Sequence, residues 1–472
     1  MSRGALQAGE HPQHRAGGAL ITLQETIDRV LRLSKSDGCI AIARRVSSVN
    51  IRWAHNTVTT NGDADDVQLT IVSIAGRRVA SVTRTYFPPE RLEDIVRESE
   101  AACARRPEAP DYMPLLGGAG EPADWHAPPA DSDIHVLDPF VPQLRKFFED
   151  ARLTQIATFG YSEYQTATTF VATSTGIRQR HTERIGKVEI TGKTPDFARS
   201  SWVGQVTHDF MDIDLPAMFA TLQQRLGWAA RRLEMRAGSY EVLLEPSPAA
   251  DLAISAYWFM TRRDADEGRS PYSKPGGGTR LGERLFGEIS MYSDPLEPGI
   301  ETTPFHYGVD SGGASSVFDN GLQLARSEWV RDGILENLIT PRYWAAKGST
   351  PVMPYVNNLI VEGNGAATSA MIERTERALL VTCFWYIRTV DPQSALLTGL
   401  TRDGVFLIED GQVRGAVNNF RWNMSPIAAL AQVTETGRCG PALPREHDEF
   451  LRARAPALRI ERFNMSSVSE AS

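Results

Sequence analysis

Residues 40–82, IAIARRVSSVNIRWAHNTVTTNGDADDVQLTIVSIAGRRVASV, decide the fold class. Polar and apolar residues alternate there in short pieces, the period of strands that bury one face. Asn61-Gly62 and Ala75-Gly76 supply turn chemistry between the pieces, so the stretch predicts an antiparallel sheet. Upstream, Thr22 and Glu25 have capping-box spacing, Leu23, Ile27, Val30 and Leu31 share one helical face, and Asp37-Gly38 closes that helix. Downstream, Pro88 and Pro89 open a second helix in which Leu92, Ile95, Val96 and Ser99 recur at helical spacing to about Ala104. Helix, strands and helix together make an α+β unit.

From Arg105 to Asp133 the chain holds six prolines, Gly117-Gly118 and several acidic residues, which is the chemistry of a linker or long loop. A second α+β unit follows. It has a helix near Val141–Leu153, strands at Thr168–Thr173 and Ile177–Thr191 turning at Thr175-Gly176, and a helix opened by Asp214 and Pro216 that runs to about Leu233. The strand YEVLLE (240–245) then leads into a helix from Ala249 to about Arg262, with Ser247 as N-cap and Pro248 at the first helical position. After the loop Lys274–Gly278, short strands dominate to Asn423, among them LIVEG, ALLVTCFWYI and GVFLIEDGQV. The expected organisation is a disordered tail (1–20), an N-terminal α+β domain with an antiparallel sheet (21–104), a Pro-rich linker (105–135), a middle α+β domain (136–235) and a β-rich C-terminal domain (236–472).

Length and composition agree with this division. The 472 residues are 42% hydrophobic and 23% charged, an ordinary globular balance that excludes coiled-coil, collagen-like and disulfide-scaffold classes. Cys39, Cys103, Cys383 and Cys439 are widely spaced and form no CxxC pair, which suits a reducing cytoplasmic compartment. The first twenty residues lack the apolar core of a signal peptide. The longest apolar run, Ala378–Ile387, is about half of the roughly 20 residues that cross a bilayer, so it predicts a buried strand and no membrane span. A net charge of −8 without a basic stripe argues against nucleic acid as a partner.

No catalytic constellation stands out. Of nine histidines only His11 and His14 are neighbours, and they fall in the expected tail; no HExxH or HExxxH occurs. A metal centre needs three or four converging donors, and no spacing here provides them. Cys383 lies in an apolar run and reads as a core residue, while Cys439, between glycines and prolines, reads as the more exposed thiol but lacks a nearby base. GxSxG and Walker patterns are missing, and the Gly276–Gly282 stretch reads as a mobile loop. Taken alone, these residues favour a binding or partner subunit.

Four separated segments carry a resemblance: IRWAHNTVTTNGDADDVQLTIVSIAGRRVASVTRTYFPPERLEDIVRESEAA (51–102), GSYEVLLEPSPAADL (238–252), TRDGVFLIEDGQVRGAVNNFRWNMSPIAAL (401–430) and PALRIERFNMSSVS (456–469). In this order they resemble the TldD/PmbA (TldE) family, once described as modulators of DNA gyrase. The resemblance implies a pair of related chains. One, TldD-like, carries HExxxH on the helix after the YEVLLE strand and a C-terminal Cys as third zinc ligand, and acts as a metallopeptidase. The other, TldE/PmbA-like, shares the fold and lacks the motif. Anchored on Gly268-Arg269-Ser270, the ligand positions fall near Ala253, Ile254 and Trp258, none of which offers a zinc donor or a general base. Cys439 lies in the region of the third ligand, where without the two histidines it reads as a coincidence.

The implied role is therefore a non-catalytic subunit that holds no cofactor and completes a chamber around a TldD-like partner's Zn²⁺. Tyr257 and Trp258 on the apolar helix, together with Arg421, Trp422 and Asn423, are candidates for substrate-chamber or interface surface, with plain core packing of the helix as the alternative. The aromatic cluster Tyr257–Phe259 also admits a specialised hydrolase pair in natural-product (antibiotic-type) biosynthesis acting on a small metabolite. A non-enzymatic binding homodimer is the remaining reading.

Overall fold

The computed structural model describes residues 21–118 and 120–469; the tail at 1–20, with His11 and His14, lies outside them. The first helix, α1 (Leu23–Leu33), starts at the capping box read from sequence: Thr22 Oγ1 accepts from the Glu25 N–H at 3.1 Å, and Glu25 Oε2 accepts from the Thr22 N–H at 2.7 Å. Two long strands follow, β1 (Gly38–Ala54) and β2 (Thr57–Ala75), and a short one, β3 (Arg78–Arg84). After α2 (Leu92–Ala104) and α3 (Val141–Leu153) come β4 (Ala157–Thr173), β5 (Arg178–Lys193), β6 (Ser200–Thr207) and α4 (Leu215–Trp228). Asp214 caps α4 as expected, but that helix ends at Trp228, short of Leu233.

The turn between β1 and β2 is at His55-Asn56, not at Asn61-Gly62. Both turn residues have positive φ, 50° and 59°, as a two-residue turn matched to strand twist requires. Asn56 tolerates this conformation and anchors it, its Nδ2 donating to Ile156 O at 2.8 Å and its Oδ1 accepting from Thr158 N at 2.8 Å. Asn61 and Gly62 pair instead with Ile51 and Asn50, inside the ladder.

The six strands form one antiparallel sheet in the order β3-β2-β1-β4-β5-β6. The segments 21–104 and 136–235, read as two units from sequence, thus contribute three strands each to a single sheet, joined through the fifteen-residue register of β1 with β4. β1 has 17 residues and spans roughly 55 Å, and its side chains alternate between two faces. Ala41 and Ala43 on one face join a core with α1 and α2, while Val49, Ile51 and Trp53 on the same face join a second core with α3 and α4. Ile40 and Ile42 on the opposite face pack with Phe305, Val317 and Phe318 of the C-terminal region. The Pro-rich stretch is a strap tied to this sheet. Trp125 is fully buried there, and Gln24 Nε2 donates to the carbonyls of Trp125 and Ala127 at 2.8 and 2.9 Å.

Beyond α4 the chain is mainly β. A seven-stranded sheet has the order Val433–Thr436, Leu458–Met465, Gly238–Leu244, Arg377–Val381, Val405–Glu409, Gln412–Val417, Arg232–Leu233. A six-stranded and a four-stranded sheet complete the region. The apolar run Ala378–Ile387 is not one strand: it breaks at Thr382-Cys383, so that Arg377–Val381 lies in the seven-stranded sheet and Phe384–Asp391 in the four-stranded one. Thr382 N and Cys383 Sγ donate to the carbonyls of Gly404 and Arg402 across this break.

Polar contacts tie the two halves together. The Glu183 carboxylate on β5 accepts from Thr302 Oγ1, Thr303 N and Thr303 Oγ1 at 2.8–3.0 Å. Burial opposes its charge, but Arg452 and these three donors outweigh the burial and hold the carboxyl below its ordinary pKa. Lys187 on the same strand pairs with Asp448 at 3.1 Å.

Candidate functional site

The strand Gly238–Leu244 delivers the chain into α5 (Pro246–Trp258), the helix on which the resemblance centres. It begins earlier than the sequence predicts: Glu245 is the N-cap residue and Pro246 takes the first position, where its missing N–H is no loss. It also ends earlier, at Trp258. Phe259 caps it, and Thr261 starts a separate turn, Arg262–Asp266, by accepting from Asp264 N. Ala249, Leu252, Ala253, Ile254, Ala256 and Tyr257 are each 0% exposed, so the helix is enclosed on nearly every side.

One polar stripe interrupts this apolar surface. Asp251 and Ser255 stand at i and i+4, and Ser255 Oγ donates to the Asp251 carbonyl at 2.8 Å. His447, from the C-terminal segment, places Nε2 2.7 Å from Ser255 Oγ, and Glu446 N donates to Asp251 Oδ1 at 3.1 Å. Trp258 extends the stripe by another turn, its ring 4.5 Å from the His447 ring and 6.2 Å from Phe450. Residues 446–450 therefore cover this face of α5.

The electrostatics of the stripe favour neutral forms. Burial pushes the Asp251 carboxyl well above the usual range, against the opposing donation from Glu446 N. Its Oδ2 has no hydrogen-bond partner among the described residues, a position suited to an uncharged acid. Burial likewise pushes the His447 imidazole down to about 4. A serine nucleophile needs an accessible Oγ and an oxyanion site, whereas Ser255 is 3% exposed with its hydroxyl engaged on the backbone. The stripe is a dock for the 446–450 segment.

Zinc does not fit the residues present. Ala253 and Ile254 are buried aliphatic side chains, and Trp258 is held against His447. Among the described residues no three of His, Cys, Asp and Glu stand close enough to share a metal ion. Cys439 packs with Tyr292, Ile300 and Ile360, apart from the core that contains Ala253 and Ile254. It is half-buried rather than open, and burial raises its thiol pKa against the influence of Arg454. It borders a cavity of about 810 Å³ with Glu297, Glu362, Arg284 and Arg454.

The other sequence candidates separate by exposure. Tyr257 is core: its hydroxyl donates to Val356 O and accepts from Val356 N, both at 3.0 Å. Trp422 is also 0% exposed, with its ring 4.9 Å from Phe384 and 5.5 Å from Phe463. Arg421 and Asn423 flank it on the strand Phe420–Met424 and point the other way, Arg421 being exposed. The structure thus brings Trp258 to His447 and leaves Arg421 and Asn423 on a sheet face elsewhere. Sequence reasoning passed over Asp251, Ser255 and His447; the visible signal was Asp251, the one carboxylate inside AADLAISAYWFM.

The family model for the PmbA/TldA metallopeptidase C-terminal domain matches residues 237–467, a span that includes α5 and most strands of the three C-terminal sheets but not the edge strand Arg232–Leu233. No curated protein matches the chain. Among solved structures, TldE from Thermococcus kodakarensis is similar with a TM-score of 0.76 at 15% identity, covering 93% of this chain and 99% of its own. A proposed modulator of a DNA gyrase from Thermotoga maritima reaches 0.73 at 14% identity, covering 94% and 100%. A counterpart from Bacteroides thetaiotaomicron reaches 0.72 at 13% identity, covering 94% and 98%. At these identities the likeness is one of fold, and it runs the length of both chains.

Proposed function

Because the chain belongs to the TldD/PmbA family, we propose that it acts as the TldE/PmbA-like, non-catalytic subunit of a heterodimeric zinc metallopeptidase that cleaves unfolded peptides or a peptide-derived precursor. The observation that carries this reading is the state of α5. The positions corresponding to the zinc motif, Ala253, Ile254 and Trp258, offer no donor, and the face beside them is closed by His447 and its neighbours. A helix so enclosed cannot present a metal to a substrate, so the zinc and the general base belong to a TldD-like partner. The fold-level likeness to the Thermococcus TldE supports the same assignment.

Co-expression with a TldD-like chain tests it. The expected result is a one-to-one complex by size-exclusion mass, about one zinc per pair, and peptide hydrolysis by the pair alone. Stoichiometric zinc and peptidase activity in the isolated chain would overturn the proposal, as would a stable homodimer that takes up no TldD-like partner.

A further inference from the structure

A second cavity, of about 380 Å³, lies where the two halves of the molecule meet and stands apart from the zinc question. The loop between β5 and β6 lines one side, and the edge of the seven-stranded sheet with the 402–406 loop lines the other. Its charge is opposite to that of the protein. Lys193, Arg199, Arg232 and Arg402 line it against two carboxylates, Glu234 and Asp403, so two positive charges are in excess in a chain whose net charge is −8.

Asp403 is already engaged: it accepts from Ser200 Oγ across the junction and lies 3.8 Å from Arg402. Lys193 and Arg232 have no carboxylate within ion-pair distance among the described residues, and Arg402 Nε is buried there with no hydrogen-bond partner. Convergent cations with unused donors in a recess attract an oxyanion far more strongly than scattered surface charges do. The rest of the lining mixes polar residues, Ser200, Asn418, Asn419 and Ser469, with an apolar side made by the half-exposed ring of Phe197, Val405 and Phe406. Phe197 is held outward with φ of 57° in a cluster with His55 and Phe159.

We infer that this junctional cavity binds a small organic anion, a carboxylate or phosphate group on an apolar, aromatic-sized body, with the oxyanion on the Lys193, Arg232 and Arg402 side and the body on Phe197. The volume suits such a ligand and is at the low end for small-molecule sites. Binding there clamps the β5–β6 loop to the seven-stranded sheet.

Isothermal titration of the full chain with phenyl phosphate, phenylacetate and the neutral benzyl alcohol tests this. The expected result is saturable one-to-one binding of at least one anion, with the stronger of the two naming the oxyanion class, and none of the alcohol. Arg232→Gln and, separately, Lys193→Gln should each weaken it by about tenfold, the loss of one charge-assisted bond. Both side chains are on the periphery of the fold, and an unchanged melting temperature without ligand checks that the variants are intact. Failure of both anions to saturate at millimolar concentration overturns the inference. So does binding that matches benzyl alcohol, or binding that survives the Lys193→Gln/Arg232→Gln double substitution unchanged.

Discussion

Ser255 Oγ and His447 Nε2 lie 2.7 Å apart although 192 residues separate them in the chain. The contact fixes the C-terminal segment on the helix where the catalytic relatives are expected to carry zinc, and burial holds His447 there in its neutral form.

Acid should therefore weaken the fold through His447. Its folded pKa, about 4, is below the ordinary 6.5, so between these values the unfolded chain binds the proton and stability falls as pH drops. The His447 contribution is on the order of 3 kcal/mol across that window. Measured from pH 7 to pH 4, urea midpoints should fall more (or rise less) in the unsubstituted protein than in His447→Gln, which keeps a hydrogen-bonding side chain but does not titrate. Asp251, whose raised pKa acts with the opposite sign, is unchanged in both proteins, so the difference isolates the imidazole.

Asp251 itself should respond to pH in the other direction. Its carboxyl is favoured as the neutral acid, so Asp251→Asn should change stability little at pH 4, near the ordinary carboxyl pKa, and be stabilising at pH 8, with Glu446 N still accepted by the amide oxygen. Asp251→Ala removes that acceptor and should cost about 1–3 kcal/mol through a buried, unpaired N–H. Chemical denaturation at the two pH values separates these outcomes.

The turn position can be checked by substitution. Asn56→Ala loses a residue suited to positive φ and strands the polar groups of Ile156 and Thr158, a loss of at least about 2 kcal/mol. Gly62→Ala should be neutral or stabilising by about 0.5 kcal/mol, because Gly62 sits in an extended strand where an added methyl group would meet only the end of the Asn50 side chain, at 4.0 Å. A turn at Asn61-Gly62 would give the reverse ranking of melting temperatures.

Trp422 and its neighbour distinguish core from surface. Trp422→Ala should cost about 3–5 kcal/mol, since the ring fills the space between Phe384 and Phe463. Arg421→Ala should stay within about 0.5 kcal/mol. If Arg421 instead contributes to a chamber, its loss will change the activity of the assembled pair while leaving the melting temperature in place.

What could be read from sequence follows the distance over which each feature is determined. The capping box at Thr22 and Glu25 and the helix Val141–Leu153 are local and emerge as expected. The His55-Asn56 turn is held by residues about a hundred positions away, and nothing nearby outranks the Asn61-Gly62 dipeptide. The apolar run Ala378–Ile387 has one composition but serves two sheets, which hydrophobicity alone does not separate. At the site, sequence alone shows that Ala253, Ile254 and Trp258 carry no metal-donating side chain, because residue identity needs no fold. The dock is not, because Asp251 meets its partner 195 residues later.

The alternation along β1 has a further consequence. Its odd residues Ala41, Ala43, Val49, Ile51 and Trp53 belong to the helical layer and its even residues Ile40 and Ile42 to the C-terminal region, so one strand keeps both in step. Deleting a single residue between Ala43 and Val49 would turn Val49, Ile51 and Trp53 away from their helices while Ile40 and Ile42 kept their places, and the sheet would have to choose between its neighbours. A shift of either half is thus opposed by the packing of the other, and the two halves are expected to melt in one transition.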